Sequence, residues 1–246
     1  MWKDDNMKKF IVDNGVWDVL PDMNIGVLIL DNVDENIKMN EKDSKEIEEL
    51  LKKSNKEAEK YLTSDVISEN EVVKVWREAY QKFPTKKGVR CSVENLLKRV
   101  LHGKPVGNIF PSVDITNAIS LKYALPIGAE DKDKINGDIH LGIMKGGEKF
   151  LPIGSDKEEP PLEGEIAYFD SYGVICRCLN WRDGIRTEIN DSTTSEFIAM
   201  ECVDPTRVDD LKKAIDELEE LMVKYMGAKT INKQIINKDN STMEIE

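Results

Sequence analysis

Hydrophobic residues in this 246-residue chain change their spacing near residue 125. Between Asp43 and Tyr123 they recur every three to four positions, the period of one helix face. Between Ile139 and Val203 they gather in short runs divided by Gly, Pro and Asp, as in strands joined by tight turns. Helices followed by strands in block order point to an α+β fold rather than a doubly wound parallel sheet. The expectation is a β-rich core with flanking helices, folded as a single compact domain.

The elements follow from local pattern. Ile25 to Asp31 is a continuous apolar run and predicts a buried strand. Asp43 to Leu62 predicts a helix with Ile47, Leu50, Leu51, Ala58 and Leu62 inward and Lys and Glu outward. Ser68 to Glu71 has the form of a capping box and predicts a helix start, with Pro84 as the stop. Ser92 is placed to cap a third helix that ends before Gly103, and Pro111-Ser112 opens a fourth that reaches Tyr123. Strands are expected at Ile139–Met144, Lys149–Pro152, Glu165–Tyr168, Val174–Leu179 and Ser195–Val203. Val208 to Met226 predicts a strong amphipathic helix that Gly227 ends. The domain then spans 1–227: an N-terminal strand and helix portion (1–65), a core (66–205) and the last helix (206–227). Residues 228–246, rich in Asn and Lys, read as a frayed polar tail.

Composition narrows the function. Asp and Glu number 47 against 35 Lys and Arg, a net charge of −12. That balance argues against non-specific polyanion binding by the whole surface, and against DNA. No apolar run approaches the length of a bilayer span, and Met1 to Asn14 lacks the pattern of a signal segment, so a cytoplasmic protein without membrane contact is expected. The two histidines, His102 and His140, stand in no zinc spacing, and no G-x-S-x-G or phosphate-loop motif occurs. Cys176 and Cys178, two apart in an expected strand, share a face and read as small buried side chains, so no metal and no cofactor is expected.

Charge is uneven along the chain. Between Lys74 and Lys104 nine basic residues meet two acids, so this segment is +7 and the remainder −19. Lys86, Lys87, Arg90, Arg99 and Lys104 are its candidate RNA contacts; exposed basic helix faces are the plain alternative. Two polar motifs carry further candidates. In Ser112-Val113-Asp114-Ile115-Thr116-Asn117, Asp114 and Asn117 share a helix face, which marks either a hydrogen-bond network or a ligand contact. In Asn180-Trp181-Arg182-Asp183-Gly184-Ile185-Arg186-Thr187, a loop between strand-like runs concentrates two Arg and one Asp. That is either a salt-bridged turn or a binding tip.

These motifs carry a resemblance. VDITNAISLKYALPIGAEDKDKINGDIHL (113–141), GEKFLPIG (147–154), PPLEGEIAY (160–168), NWRDGIRT (180–187) and the Ser92 to Leu97 stretch resemble the B3/B4 domain of the bacterial phenylalanyl-tRNA synthetase β subunit and its free-standing relatives. The resemblance implies a β-rich core flanked by helices. It also implies an editing site that hydrolyses the ester of a mischarged aminoacyl-tRNA. Thr116-Asn117 match the family's Thr-Asn pair. Gly128 stands where the synthetase domain has its editing histidine, so the family's base does not carry over.

Three functions follow as expectations: a metal-independent aminoacyl-tRNA deacylase, a non-catalytic tRNA-binding or RNA-binding module, and a pocket for an amino-acid-like small molecule. For the first, Thr116, Asn117 and Asp183 are the catalytic candidates, with Asp183 also suited to an α-amino group. Asp114, Gly128, Asn180, Arg182 and Arg186 are the substrate contacts, the two arginines for terminal phosphates. Asp138 is a further candidate acid.

Overall fold

A computed structural model describes residues 7–34, 37 and 39–246 of the chain. Strand β1 (Lys9–Val12) and helix α1 (Asn14–Val19) precede β2 (Asn24–Asp31) and α2 (Glu41–Glu57), which tightens into a 3-10 turn at Ala58–Tyr61. Helices α3 (Glu71–Ala79), α4 (Ser92–Leu101) and α5 (Pro111–Tyr123) follow. The β-rich half holds β3 (Ile127–Asp131), β4 (Ile139–Ile143), β5 (Ile166–Phe169), β6 (Val174–Arg177), the two-residue β7 (Arg182–Asp183) and β8 (Ser195–Cys202). Helix α6 (Val208–Met226), β9 (Lys229–Ile236) and β10 (Thr242–Glu244) complete it. The fold is α+β, as the change of hydrophobic period predicts.

Two sheets form. One runs β10-β1-β4-β5-β6-β7, the other β3-β8-β2-β9. The run Ile25 to Leu30 is continuously apolar because β2 is buried on both faces. Ile25, Val27 and Ile29 join the core that also holds Phe10, Tyr168 and Phe197. Leu28 and Leu30 join a second core with Ile115 and Ile119 of α5 and Leu211, Ile215 and Leu218 of α6. Strand β8 divides its side chains in the same way. A Cβ at Gly26 would lie 3.2 Å from Leu211 Cδ1, so the glycine lets α6 sit directly on β2. Phe10, Tyr168 and Phe197 interlock with ring centroids 5.3–6.4 Å apart and join the two sheets.

Several local expectations are corrected. Residues 228–246 are not a frayed tail: β9 pairs along β2 from Ile25 to Asp31, and β10 pairs β1. The Asn and Lys that suggested a tail belong to edge strands whose outer positions face solvent. Backbone pairing on the open side of β2 outweighs their low strand propensity. Ser68 does not cap α3. It lies in a 3-10 turn at Ile67–Glu69, and Asn70 precedes the helix with its side chain bonded back into residues 64–67. Cys91, not Ser92, is the N-cap of α4. Residues 149–152 form no strand beyond a bridge from Pro152 to Gly184, because proline has no N–H for a ladder. Strand β6 ends at Arg177, and Cys178 turns to φ 47°, so the two cysteines do not continue one strand face. All four cysteines are free and buried. Among the described residues no helix is long and apolar enough to cross a membrane.

A chain ending at Ala228 leaves one side of β2 without its backbone partners. Its melting temperature should fall by about 10 °C or more relative to the full chain, followed by circular dichroism. An unchanged melting curve would show that β9 contributes no stability.

Candidate functional site

Five of the predicted residues meet. A cleft of about 330 Å³ is lined by Ser92, Phe110, Ser112, Thr116, Asn117, Gly128, Asp183 and Glu188, with Ile109 and Ile153 at its apolar edge. A second space, a chamber of about 20 Å³, lies between the sheets and is lined by Glu130, Tyr168, Cys176, Asn180, Asp183, Phe197 and Glu201. Gly128 and Asp183 line both spaces, so they form the throat that joins them. Thr116, Asn117 and Gly128 meet in the cleft, Asn180 lies in the chamber, and Asp183 faces both.

Each residue is placed by its element. Helix α5 opens at Pro111 without a side-chain cap, and α4 opens behind Cys91 without one. The first turns of both helices border the cleft through Ser92, Ser112 and Val113, so two positive helix ends point toward it. Thr116 Oγ1 donates to Ser112 O at 2.7 Å, which leaves its lone pairs to accept. Asn117, one residue on, is half-buried at the cleft wall. Gly128 lies on β3 at the sheet edge, where a Cβ would meet nothing within 4 Å. The glycine therefore keeps the throat open.

The turn after β6 sets the chamber. Cys178 and Leu179 both take the left-handed conformation, φ 47° and 62°, and both are buried. The turn swings Asn180 inward. Its Oδ1 accepts from Ser92 N and Tyr80 Oη, each at 3.2 Å, and its Nδ2 donates to Glu201 Oε2 at 3.1 Å. Tyr168 Oη donates to Glu201 Oε1 at 2.7 Å. Glu130 is 4% exposed, and its Oε2 has no hydrogen-bond partner among the described residues. Burial pushes the Glu201 carboxyl up to about 7, while its bonds from Tyr168 and Asn180 pull the other way. Burial also raises Glu130, with Asp183 adding repulsion, and raises Asp183 itself.

The remaining candidates are placed differently. Asp114 does not line the cleft; it accepts from Asn108 Nδ2 at 2.9 Å and Ile109 N at 2.8 Å, anchoring the loop before α5. Arg186 is held by Asp170 through two bonds of 2.9 Å and donates to Lys134 O. The expected pairing of Asp183 with a neighbouring arginine does not occur, because Arg182 turns to Glu159 at 3.4 Å. Asp138 accepts from Lys9 N at 2.8 Å, at the start of β1. In the basic segment, Lys86 also reaches Glu159, at 3.1 Å. Arg77 and Arg90 converge on the buried Glu94 at 2.6 and 3.3 Å. Lys87, Arg99 and Lys104 are exposed, the last two about 10 Å or more along α4 from Ser92. Part of the +7 is thus neutralised, and Lys86 and Arg182 share one carboxylate, Glu159.

Sequence reasoning missed Glu130, Glu201, Tyr168 and Ser92. The signal was present for Glu201: an acid inside the apolar run of β8 needs a reason to be buried. The Ser92 hydroxyl, expected as a cap, is buried at the cleft without a hydrogen bond.

Glu201 makes stability depend on pH. Its folded value near 7 exceeds the usual 4.5, so its contribution is complete below 4.5 and is lost as pH rises through 7. A shift of that size corresponds to about 3 kcal/mol. Denaturant unfolding of wild type and Glu201→Gln at pH 5 and pH 8 should show the variant gaining about that much relative to wild type at the higher pH. A difference independent of pH would mean that Glu201 is charged in the folded state.

Comparison with known proteins agrees with this architecture. A family model, the B3/4 domain, matches residues 75–236. The phenylalanine–tRNA ligase β subunit of Corynebacterium jeikeium is 29% identical over 85 residues, 35% of this chain and 10% of that subunit. The same subunit of Lactiplantibacillus plantarum is 33% identical over 100 residues, 40% of this chain and 11% of its own length. This chain therefore spans about a tenth of those relatives. A solved N-terminal fragment of the phenylalanyl-tRNA synthetase β subunit from Pyrococcus horikoshii shares the fold, with a TM-score of 0.50 at 12% identity, over 96% of this chain and 56% of that one. With the family model covering well over half of its length, the chain belongs to the B3/4 domain family.

Proposed function

We propose that this protein hydrolyses the ester bond of mischarged aminoacyl-tRNA, acting on the terminal aminoacyl nucleotide held in the cleft. The observation that carries the reading is the convergence of Thr116, Asn117, Gly128 and Asp183 on one cleft that continues into a polar chamber. In this reading the ester lies across the throat. A water is oriented by the accepting lone pairs of Thr116, attacks the carbonyl carbon and gives its proton to Asp183. Burial raises the Asp183 carboxyl and makes it a stronger base. The Asn117 amide and the uncapped first turns of α4 and α5 stabilise the oxyanion. When the bond to the ribose oxygen breaks, the proton passes from Asp183 to that oxygen. Lys86 and Arg182 take the terminal phosphates in place of Glu159.

A second reading, binding of tRNA without catalysis, is favoured by one observation. No histidine lines the cleft among the described residues, since His102 is exposed at the end of α4 and His140 pairs with Asp13 at 2.8 Å on the other sheet. The same experiment separates the two. Incubation with a panel of mischarged aminoacyl-tRNAs should release amino acid, and Asn117→Ala and Asp183→Asn should each lower kcat by about 100-fold without loss of fold. Salt-sensitive binding with no release on any tRNA would leave the binding reading.

The tether at Glu159 adds a further expectation. Glu159→Ala frees Lys86 and Arg182 and should tighten tRNA binding several-fold at low salt, and Lys86→Ala with Arg182→Ala should weaken it and flatten the salt dependence. Filter binding across a salt series reads both. Equal affinities in all variants would remove these two residues from the interface.

A further inference from the structure

Hydrogen bonding in the chamber does not balance. Its carboxyl oxygens come from Glu130 on β3, Asp183 on β7 and Glu201 on β8. The donors near them are the Tyr168 hydroxyl from β5 and the Asn180 amide from the 178–180 turn, both used on Glu201, the Cys176 thiol beside Asp183 and the Thr187 hydroxyl beside Glu130. Among the described residues no lysine or arginine lines the space, and no ion pair within 4.0 Å reaches Glu130, Asp183 or Glu201. Arg182, next to Asp183 in sequence, turns to Glu159 at 3.4 Å, Arg177 is sealed against Glu165 at 2.6 Å, and Arg186 is held by Asp170 and acts on Glu130 only through its field. Glu130 Oε2 is thus buried without a hydrogen-bond partner among the described residues, in a space whose acids form no ion pair. Such an oxygen is costly unless a ligand supplies the missing hydrogen.

Size restricts what can supply it. About 20 Å³ holds one water-sized group and is too small for an aromatic ring. From the cleft the chamber lies past Gly128 and Asp183, and the absence of a side chain at Gly128 favours a slender chain there. A primary ammonium brings three donors and one positive charge in that volume. We infer that the chamber receives the side chain of the aminoacyl group and selects a slender aliphatic chain that ends in a primary ammonium. This rests on the reading that the cleft holds an aminoacyl ester, and it names the class of amino acid removed. The burial that pushes Glu130, Asp183 and Glu201 toward their neutral forms is offset when a cation enters.

The test uses the full chain and amide-linked 3′-aminoacylamino-3′-deoxyadenosines, which cannot be hydrolysed as esters. Lysyl, norleucyl, 6-hydroxynorleucyl and phenylalanyl conjugates all carry the same α-ammonium, so differences between them read the side chain alone. The lysyl conjugate should bind at least about tenfold tighter than the norleucyl one by calorimetry, with phenylalanyl weakest. Glu130→Gln should remove most of that preference. Gly128→Val, whose Cβ enters open space at the throat, should do the same and serves if Glu130→Gln does not fold. Equal or tighter binding of the norleucyl, hydroxynorleucyl or phenylalanyl conjugate overturns the inference and leaves the ester reading standing, as does a lysyl preference that survives both variants. Failure of every conjugate to bind overturns both.

Discussion

Two consecutive residues without glycine's freedom, Cys178 and Leu179, are held in the left-handed region, and the polar interior depends on that turn. Each such residue costs about 1–2 kcal/mol. The surroundings offset it. Leu179 is fully buried, its N–H bonds to Ile166 O at 3.1 Å, and Cys178 O accepts from Tyr80 Oη at 3.2 Å. A buried leucine contributes about 1.5–3 kcal/mol and each net hydrogen bond about 0.5–1.5 kcal/mol, so the turn can persist. Its product is the inward Asn180, which ties the start of α4, the end of α3 and the end of β8 at Glu201 to one side chain. Relaxing the turn would withdraw the side-chain amide that donates to Glu201 and release Ser92 N at the cleft wall.

The chain handles buried charge in two ways. Arg177 and Glu165 are both wholly buried, yet the guanidinium makes two bonds to the carboxylate at 2.8 and 2.6 Å and a third to Glu159 O at 2.9 Å. This is a closed pair with its bonding capacity largely met, and it asks nothing of a ligand. The chamber acids, on β3 and β8 of the other sheet and on β7, form no ion pair among the described residues. Positive charge nearby is already committed to Glu165 and Asp170. Such an interior favours neutral Glu130 and Glu201 carboxyls and is poised for a cation from outside.

Helix α5, buried on several faces, was legible from its Pro111-Ser112 start, whereas periodicity made α6 legible, because it buries an apolar stripe on the four-stranded sheet. Strand β2 was legible for the opposite reason: burial on both faces removes alternation altogether. The errors share a physical origin. Ser68 and Ser92 suit a cap by residue type, but Asn70 bonds locally back to residues 64–67, and Asn180, distant in sequence, takes the Ser92 N–H. Residues 229–244 look like a tail until β2 supplies a ladder on one side and β1 on the other. In the site, Thr116, Asn117, Gly128 and Asp183 were legible as motif residues. Glu130 was not, because its meaning lies in what fails to reach its Oε2 across two sheets, whereas Glu201 carried a signal as an acid within the apolar run of β8.

The same reasoning changes what the net charge of −12 means for a polyanionic partner. Sequence alone divides it into a basic segment and an acidic remainder. Folding divides it again, because Glu94 binds Arg77 and Arg90, and Glu159 binds Lys86 and Arg182. Glu94 is buried, and its bond is the first cause that raises Arg77, so that pairing is structural. Glu159 is half-exposed, its carboxyl held below the usual range mainly by Lys86, and its contact with Arg182 is long. An exposed pair of this kind contributes little and exchanges readily. A phosphate that displaces Glu159 gains two cations, whereas one that approaches Arg77 or Arg90 meets arginines already engaged. The place where an anion can dock is therefore set by which carboxylate lets go.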